Sequence, residues 1–353
     1  MNHVQIELTN RCNFQCKFCE IKHHRVKDEL PIEKVYDILD QLTTARLPGG
    51  KVFMVSLNGV GEPLLYPHLT EAVVYAKARF PFVGFITNGY LLTPQLTDRL
   101  LECDIDYITV SINAVDADVY KKFQGYGLKD PKAVLDRVLS NVRYLMEQRD
   151  RLKKKTELRI PYIVTKDSKS HMKEFVQYWK DTKREALIQF TRLMHFKKLK
   201  HVKYTRCERL LEDFMIFSNG DVTMCACDQT RSVILGNIYD KKIEDIMNGE
   251  KYLSIVRAND AFDLDHMPKA CFICDRMIDE GFLKNYSIGY KVVYVNNFWK
   301  SLKWKLYGIG IQWFTELKKH DATWPLFRRI KKIMVRHETA GRNKRRKGLK
   351  WLK

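Results

Sequence analysis

The sequence of 353 residues lacks any uncharged apolar run of about eighteen residues, which excludes a helix that spans a membrane. Its first residues also lack the basic start and apolar core of a secretory signal, so we expect a cytoplasmic protein. Hydrophobic residues make up 45% and charged residues 29% of the chain, which excludes a disordered or collagen-like protein. These absences leave a globular body of enzyme size as the expectation.

Acidic residues are scarce in one part of the chain. Residues 282–353 contain 19 Lys and Arg but only 3 Asp and Glu, together with five of the six tryptophans. The net charge of +20 therefore belongs mainly to this segment, and the remaining body is nearly balanced.

Three interpretations of this basic segment compete: a solvated face on helices packed against the body, an anchor on anionic lipid, or a nucleic-acid surface. From residue 298 onward, apolar residues recur at helical spacing and gather the aromatic rings on one apolar face. Exposed stacking platforms would be interleaved instead, which argues against nucleic acid. We expect residues 298–353 to hold the protein peripherally on the inner face of the membrane.

Short β-branched and aromatic runs alternate with longer segments of helical period, which is typical of a parallel sheet built from βα units. Strands are predicted at residues 3–8, 51–57, 82–87, 106–112, 157–164 and 187–193, and helices at 31–44, 68–80, 93–102, 131–149 and 168–181. A hairpin is predicted around residues 218–220. The expected domains are a barrel over residues 1–199, a small cysteine-containing domain over 200–281 and the basic tail over 282–353.

Nine cysteines in a reducing compartment favour metal or redox chemistry over disulfides. Cys12, Cys16 and Cys19 lie in a loop after the first predicted strand, where three thiolates can converge on one centre. A structural zinc site would need a fourth ligand, such as His23 or His24. An iron–sulfur cluster bound by three cysteines would keep one iron open for a further ligand.

The segment Cys12-Asn-Phe-Gln-Cys16-Lys-Phe18-Cys19, with an aromatic residue before its third cysteine, resembles the radical S-adenosylmethionine (SAM) family. That resemblance implies a partial (β/α)6 barrel similar to a TIM barrel. It also implies that a reduced [4Fe–4S] cluster on the three cysteines binds SAM and cleaves it to a 5′-deoxyadenosyl radical, which takes hydrogen from a substrate. A cytosolic one-electron reductant of the flavodoxin or ferredoxin type would supply the electron.

Further family motifs follow successive strands. Gly59-Val-Gly61-Glu62-Pro63 resembles the segment that holds the methionyl amino group of SAM, with Val60 in place of a glycine. Thr87-Asn88-Gly89 follows the third strand, and Ser111-Ile-Asn113 resembles a segment that contacts the carboxylate or ribose. The fifth strand resembles the family segment that lines the adenine. The SAM-binding residues implied in this way are Gly61, Glu62, Pro63, Asn88, Ser111, Asn113 and Val164.

A second cysteine group comprises Cys207, Cys225, Cys271 and Cys274. By spacing alone it could form a four-cysteine zinc ribbon. It also resembles the auxiliary-cluster region of SPASM and Twitch radical SAM enzymes, and no further cysteine follows Cys274, as in the one-cluster Twitch form. The resemblance implies an auxiliary [4Fe–4S] cluster that transfers electrons.

Cys227 and Cys103 remain outside these two groups. Either thiol could return a hydrogen atom to a substrate, as in some radical SAM epimerases, or could be an ordinary packing residue or alternate ligand.

The chain begins directly on its first predicted strand, without a preceding peptide-recognition segment. This favours a small-molecule or lipid-linked substrate, by analogy a sugar, cyclitol or saccharide, that is oxidised or epimerised. Peptide modification is the alternative enzymatic function. A cluster or zinc protein that binds RNA without catalysis is the alternative from another class.

Overall fold

The computed structural model describes residues 2–19, 27–165, 167–192, 203–274, 276–277 and 291–297. Six strands alternating with helices come first. Their strands are β1 (Asn2–Ile6), β2 (Val52–Ser56), β3 (Phe82–Thr87), β4 (Tyr107–Val110), β5 (Glu157–Val164) and β6 (Ala186–Arg192). Their helices are α1 (Ile32–Thr44), α2 (Leu69–Arg79), α3 (Pro94–Glu102), α4 (Ala117–Lys122), α5 (Pro131–Arg151) and α6 (Met172–Asp181).

A smaller unit follows, with strands β7 (Asp213–Ile216), β8 (Asp221–Thr223) and β9 (Ile234–Asn237), helices α7 (Ile243–Met247) and α8 (Glu250–Ala261), and then strand β10 (Lys291–Val295). The predicted hairpin is confirmed, because β7 and β8 pair in antiparallel fashion around Gly220, whose φ is +89°. Gly220 can adopt this angle because it has no Cβ.

All ten strands belong to one sheet, in the order β10-β6-β5-β4-β3-β2-β1-β7-β8-β9. Strands β1 to β6 are parallel, as predicted, and form the partial (β/α)6 barrel. Two strand pairings were not predicted. Strand β7 pairs in parallel with β1, and β10 pairs in antiparallel fashion with β6. Residues 291–295, assigned to the basic tail by composition, are thus part of this sheet, whereas residues 298–353 lie outside the described residues.

The predicted strands and helices of the barrel are confirmed to within a few residues of their ends. Capping residues set several boundaries: Thr93 accepts a hydrogen bond from the backbone N–H of Leu96, and Asp130 accepts one from that of Ala133. In both helices a proline follows the cap, where its missing N–H costs nothing. Helices α4, α7 and α8 and strand β9 were not predicted, because their short runs give weak periodicity.

Alternate residues of β1 point to opposite sides of the sheet. Val4, Ile6 and Leu8 are buried in the core shared with the helices, which defines the outer face. His3, Gln5 and Glu7 lie on the other side, which we call the inner face. The inner face is mixed: Ser56, Thr109 and Gln189 on β2, β4 and β6, and Asn58 just beyond β2, lie there beside apolar residues such as Met54 and Ile86.

One end of the inner face is closed by a hydrogen-bonded group. The Nε2 atom of His3 lies 2.6 Å from the Oγ of Ser56, which also hydrogen-bonds to the hydroxyl of Tyr107. The Tyr107 ring stacks on Phe82, with the Arg159 guanidinium 4.3 Å from its centre. Burial, together with the nearby charges of Arg209 and Arg159, lowers the pKa of His3 to about 3. This neutral histidine forms part of the barrel floor, at the amino ends of the strands.

No helix among the described residues combines the length and the apolar character needed to cross a bilayer.

Candidate functional site

The loop after β1 brings three partly buried cysteines together at the carboxyl end of the sheet. The N–H of Cys19 donates to the carbonyl of Cys16 at 3.0 Å, and the N–H of Phe14 lies 3.5 Å from the Cys12 sulfur. Burial raises the pKa of Cys12 to about 11 and that of Cys16 to about 12, and the neighbouring thiols add to both shifts. Three crowded thiolates need a cation to offset their repulsion and desolvation, which fits an iron–sulfur cluster.

The segment after β2 supports this loop by close backbone contact. The N–H of Glu62 donates to the carbonyl of Arg11 at 2.7 Å. A Cβ on Gly61 would lie only 2.2 Å from the carbonyl oxygen of Thr9, so no larger residue fits there. Gly61 is therefore positioned by the need for close backbone approach.

The carboxylate of Glu62 is buried and accepts three hydrogen bonds from the protein. Its donors are the Thr87 hydroxyl at 2.6 Å, the Asn88 N–H at 2.7 Å and the Leu64 N–H at 3.1 Å. Glu62 thus joins the ends of β2 and β3. Pro63 opens the short 3₁₀ helix that follows.

Burial raises the pKa of Glu62 to about 7, against the opposing effect of its hydrogen bonds. A carboxyl group whose pKa is higher in the folded than in the unfolded state stabilises the protein at low pH and loses that contribution as pH rises. We expect the free energy of unfolding of the cluster-free protein to fall between pH 4.5 and pH 7 by up to about 3 kcal/mol from this group.

Urea unfolding at pH 5 and pH 7 measures this effect as the difference between wild type and Glu62→Gln. In Glu62→Gln the free energy of unfolding should no longer fall from pH 5 to pH 7. In Glu147→Gln, at an exposed position on α5, it should fall as in wild type. Equal slopes in wild type and Glu62→Gln would contradict the prediction.

The predicted residues after β3 and β4 lie in a network of side-chain amides. The Asn88 amide donates to Asn13 in the cysteine loop at 2.8 Å. The Asn113 amide oxygen accepts from the N–H of Ile163 at 2.9 Å, and its nitrogen donates to Gln124 at 3.3 Å.

Gln124 was not identified from the sequence, although it links Asn113 and Ser111 to the three-cysteine loop. The side-chain amide of Gln124 donates to the carbonyl of Ser111. The Cys16 thiol lies 3.8 Å from the backbone carbonyl oxygen of Gln124. A single glutamine between two helices gives no pattern that would have revealed this position.

Val164 does not lie on the predicted side of the sheet. Its side chain is buried in the core on the outer face, with Tyr162 and Ile160. The partly exposed Ile163 occupies the inner face instead, because successive residues of a strand alternate. The adenine-lining role of Val164 stays a prediction, and Ile163 is the residue of this pair whose side chain faces inward.

A second site is a cavity of about 220 Å³ in the smaller unit. Among the residues that line it are five cysteines and two arginines: Cys207, Cys225, Cys227, Cys271, Cys274, Arg209 and Arg276. Burial raises the pKa of Cys207 to about 11 and that of Cys271 to about 12. The four predicted ligands thus converge, and the cationic side chains can offset the charge of a thiolate-bound cluster.

Cys227 belongs to this cavity as well. Hydrogen bonding to Cys225 and Cys274 holds its pKa well below the ordinary value, whereas that of Cys225 is raised. Cys227 thus lies among the four predicted ligands, and its role as an alternate ligand, hydrogen donor or packing residue stays a prediction.

Cys103 follows α3 and precedes β4, at the amino ends of the strands. The three-cysteine loop lies at their carboxyl ends, on the opposite side of the barrel, so the prediction of Cys103 as a hydrogen donor is not supported.

Asp228 borders the cavity and holds the following loop in place. Its carboxylate accepts hydrogen bonds from the N–H and hydroxyl of Ser232, at 2.9 and 2.7 Å, and from the N–H of Val233 at 2.8 Å. This aspartate organises the loop before β9.

Glu7 connects the two sites. Its side chain is fully buried. One carboxylate oxygen accepts from the N–H of Val60 at 2.7 Å, within the segment 59–63, which we call the SAM-type segment. The other accepts from the hydroxyl of Ser218 at 2.8 Å, in the β7–β8 hairpin, and lies 3.6 Å from the guanidinium of Arg231. A Cβ on Gly59 would lie 2.3 Å from this carboxylate, so the contact is tight.

No group of three or more His, Cys, Asp or Glu side chains within the described ranges is arranged to hold a single metal ion. His23 and His24, the alternative zinc ligands, lie outside those ranges. Both groups consist of cysteine thiols, which are the usual ligands of iron–sulfur clusters.

A partial (β/α)6 barrel with three cysteines after its first strand, joined to a second cysteine-lined cavity, defines a radical SAM enzyme with an auxiliary iron–sulfur domain. The comparisons agree. The radical SAM superfamily model matches residues 6–147, and an iron–sulfur cluster-binding (SPASM) domain model matches residues 207–275, which together cover more than half of the chain. The chain belongs to the radical SAM superfamily, and its cofactors are SAM, a SAM-binding [4Fe–4S] cluster and an auxiliary cluster.

Among curated relatives, the chain is 25% identical over 178 residues to the tungsten-containing aldehyde ferredoxin oxidoreductase cofactor-modifying protein of Pyrococcus furiosus, covering 50% of this chain and 48% of that protein. It is 34% identical over 125 residues to the mycofactocin maturase MftC of Mycobacterium tuberculosis, covering 35% of this chain and 30% of that protein. The chain thus spans about half or less of the length of these two relatives.

A third relative matches over more of its length. The FeMo cofactor biosynthesis protein NifB of Methanocaldococcus jannaschii is 24% identical over 284 residues, covering 75% of this chain and 90% of that protein. Among solved structures, SuiB of Streptococcus suis bound to S-adenosylmethionine shares the fold, with a TM-score of 0.57 and 16% identity over 77% of this chain and 70% of that one.

Proposed function

We propose that this radical SAM enzyme oxidises or epimerises a small polyhydroxylated substrate, such as a sugar, a cyclitol or a lipid-linked saccharide. The observation that carries the proposal is the polarity of the inner face. There Gln5, Thr109 and Gln189 stand on β1, β4 and β6, and Asn58 lies two residues after β2, where alternate residues are apolar and buried. Polar side chains on rigid strands suit a ligand that is bound by several directed hydrogen bonds.

In this proposal Cys12, Cys16 and Cys19 hold the cluster that binds SAM. When bound, SAM and this cluster supply a 5′-deoxyadenosyl radical, which removes a hydrogen atom from carbon. The chain orients SAM through the segment Gly61-Glu62-Pro63 and through Asn88, Ser111 and Asn113, with Ile163 beside the adenine. The aromatic and histidine floor closes the other end of the barrel against water.

Oxidation of an alcohol removes two hydrogens in total. One hydrogen would be transferred as a hydrogen atom to the 5′-deoxyadenosyl radical. The other would be lost as a proton and an electron. Cys207, Cys225, Cys271 and Cys274 would hold the auxiliary cluster at the cavity to which that electron can pass. An external one-electron reductant, of the flavodoxin or ferredoxin type, starts each turnover.

A second candidate function is the modification of a peptide. The similarity to the mycofactocin maturase favours it, because that relative is named for maturation of another molecule. A peptide would have to enter the same inner face through its open end.

Membrane association of residues 298–353 remains a proposal from sequence alone. A lipid-linked substrate would be consistent with such an anchor.

The test supplies reduced, cluster-loaded protein with SAM and a panel of carbon-deuterated compounds: myo-inositol, glucosamine, a nucleotide sugar and a mixed peptide pool. We expect 5′-deoxyadenosine to form and to carry deuterium from a polyhydroxylated compound. Formation of no 5′-deoxyadenosine would contradict radical chemistry, and deuterium from the peptide pool alone would establish the second candidate.

A further inference from the structure

Asn58 has an amide oxygen with no hydrogen-bond partner among the described residues. The residue lies two positions after the end of β2, is only 4% exposed, and its Oδ1 is buried. Its Nδ2 donates to the Oε1 of Gln5 on the neighbouring strand at 3.2 Å. A buried polar atom without a partner is destabilising, and a bound hydrogen-bond donor would remove that penalty.

Asn58 is buried on the inner face beside an exposed apolar residue of the neighbouring strand. Ser56 pairs with Gly84, so two residues further along both strands Asn58 and Ile86 stand at the same level. Ile86 is 39% exposed although β3 is paired on both sides, and the next residue along the level is Thr109. A large apolar side chain exposed on a central strand marks the wall of a concavity, because its neighbours Phe85 and Ile108 are fully buried on the outer face.

The position also lies next to the SAM-type segment. Asn58 immediately precedes Gly59-Val60, and Val60 donates its N–H to Glu7, two residues after Gln5. The floor formed by His3, Ser56 and Tyr107 closes the barrel on one side of the pair. A group bound to Asn58 is therefore held between the floor and the end of the sheet where the three cysteines converge.

We infer that the Asn58–Gln5 amide pair is a specificity site that binds a hydroxyl group of the substrate. A hydroxyl both donates and accepts, so it matches the free edge of a paired amide whichever way the two amides are turned. Ile86 provides the apolar contact for the adjacent C–H groups, as expected for a sugar or cyclitol ring. The inference rests on the proposed function and deepens it by assigning the recognition of one hydroxyl.

The experiment compares wild type with Asn58→Leu and Gln5→Leu, using carbon-deuterated myo-inositol and glucosamine as probes with SAM and reductant. At equal probe concentration, each variant should transfer at least about tenfold less deuterium into 5′-deoxyadenosine. A loss of this size corresponds to one good hydrogen bond. The double variant should lose no more than either single variant, because the two amides act as one unit. Asn58→Asp, which keeps an acceptor, should restore part of the transfer.

Iron content and SAM affinity report whether each variant is folded and loaded. Gln95→Leu, the same change at an exposed position on α3, is the matched control and should equal wild type. Three outcomes would overturn the inference. Wild type could transfer deuterium from neither probe, Asn58→Leu could transfer as much as wild type, or weakened SAM binding could account for the whole loss. Failure of the proposed function is distinguishable, because wild type would then form no 5′-deoxyadenosine at all or would take deuterium from the peptide pool alone.

Discussion

Replacing Cys12, Cys16 and Cys19 together with alanine is expected to abolish SAM cleavage completely while leaving the auxiliary cluster in place. These three thiols are the convergent group at the carboxyl end of β1, and the other cysteine-lined cavity is built from separate elements. The reconstituted variant should retain about four irons per chain and form no 5′-deoxyadenosine on reduction. Iron and sulfide analysis with product chromatography measures both.

The reciprocal variant, with alanine at Cys207, Cys225, Cys271 and Cys274, should keep the first cluster. Cys103→Ala is the matched control for a single lost thiol and should behave as wild type, because Cys103 lies at the opposite end of the barrel. Residual SAM cleavage by the triple variant would contradict the assignment, as would zinc in place of iron in the second site.

Replacing Glu7 with alanine is expected to produce the largest loss of stability from any single change discussed here, about 3 kcal/mol or more. The substitution leaves the N–H of Val60 and the hydroxyl of Ser218 without their acceptor. It also removes the carboxylate 3.6 Å from Arg231, whose side chain is mostly buried. The free energy of unfolding of the cluster-free protein in urea measures the effect.

Glu7→Gln should lose less, because an amide keeps one acceptor oxygen. Glu147→Ala, at an exposed site on α5, should change stability by no more than about 0.5 kcal/mol. SAM affinity should fall with Glu7→Ala, since Val60 belongs to the SAM-type segment. Stability within experimental error of wild type would show that the buried carboxylate is not a structural link.

The barrel and its cysteine loops could be predicted because their signals are local. A βα alternation is a pattern within some thirty residues, and Cys12, Cys16 and Cys19 carry their meaning in their spacing. The inward-facing side chain at the end of β5 could not be predicted in this way, because the motif fixes the strand but not which of Ile163 and Val164 faces inward. A shift of one residue reverses the side.

The contacts that join the two sites could not be predicted, because they depend on pairing over long sequence separations. Nothing near Glu7 indicates that its partner would be Ser218, 211 positions away. An acidic residue after a strand is more often exposed to solvent. Gln124 is similar, because its importance comes from where the chain places it and not from its neighbours in sequence.

The pairing of β1 with β7 has a consequence for how the protein can be divided. Strand β1 lies between β2 and β7, and His3 to Ile6 align with Asp213 to Ile216. A protein ending near residue 200 would leave one side of β1 as an unprotected edge, with a row of backbone groups ready to pair with another molecule. The strand that leads to the three cysteines would then be an aggregation site. A soluble minimal enzyme must therefore include the hairpin, even for work on SAM cleavage alone.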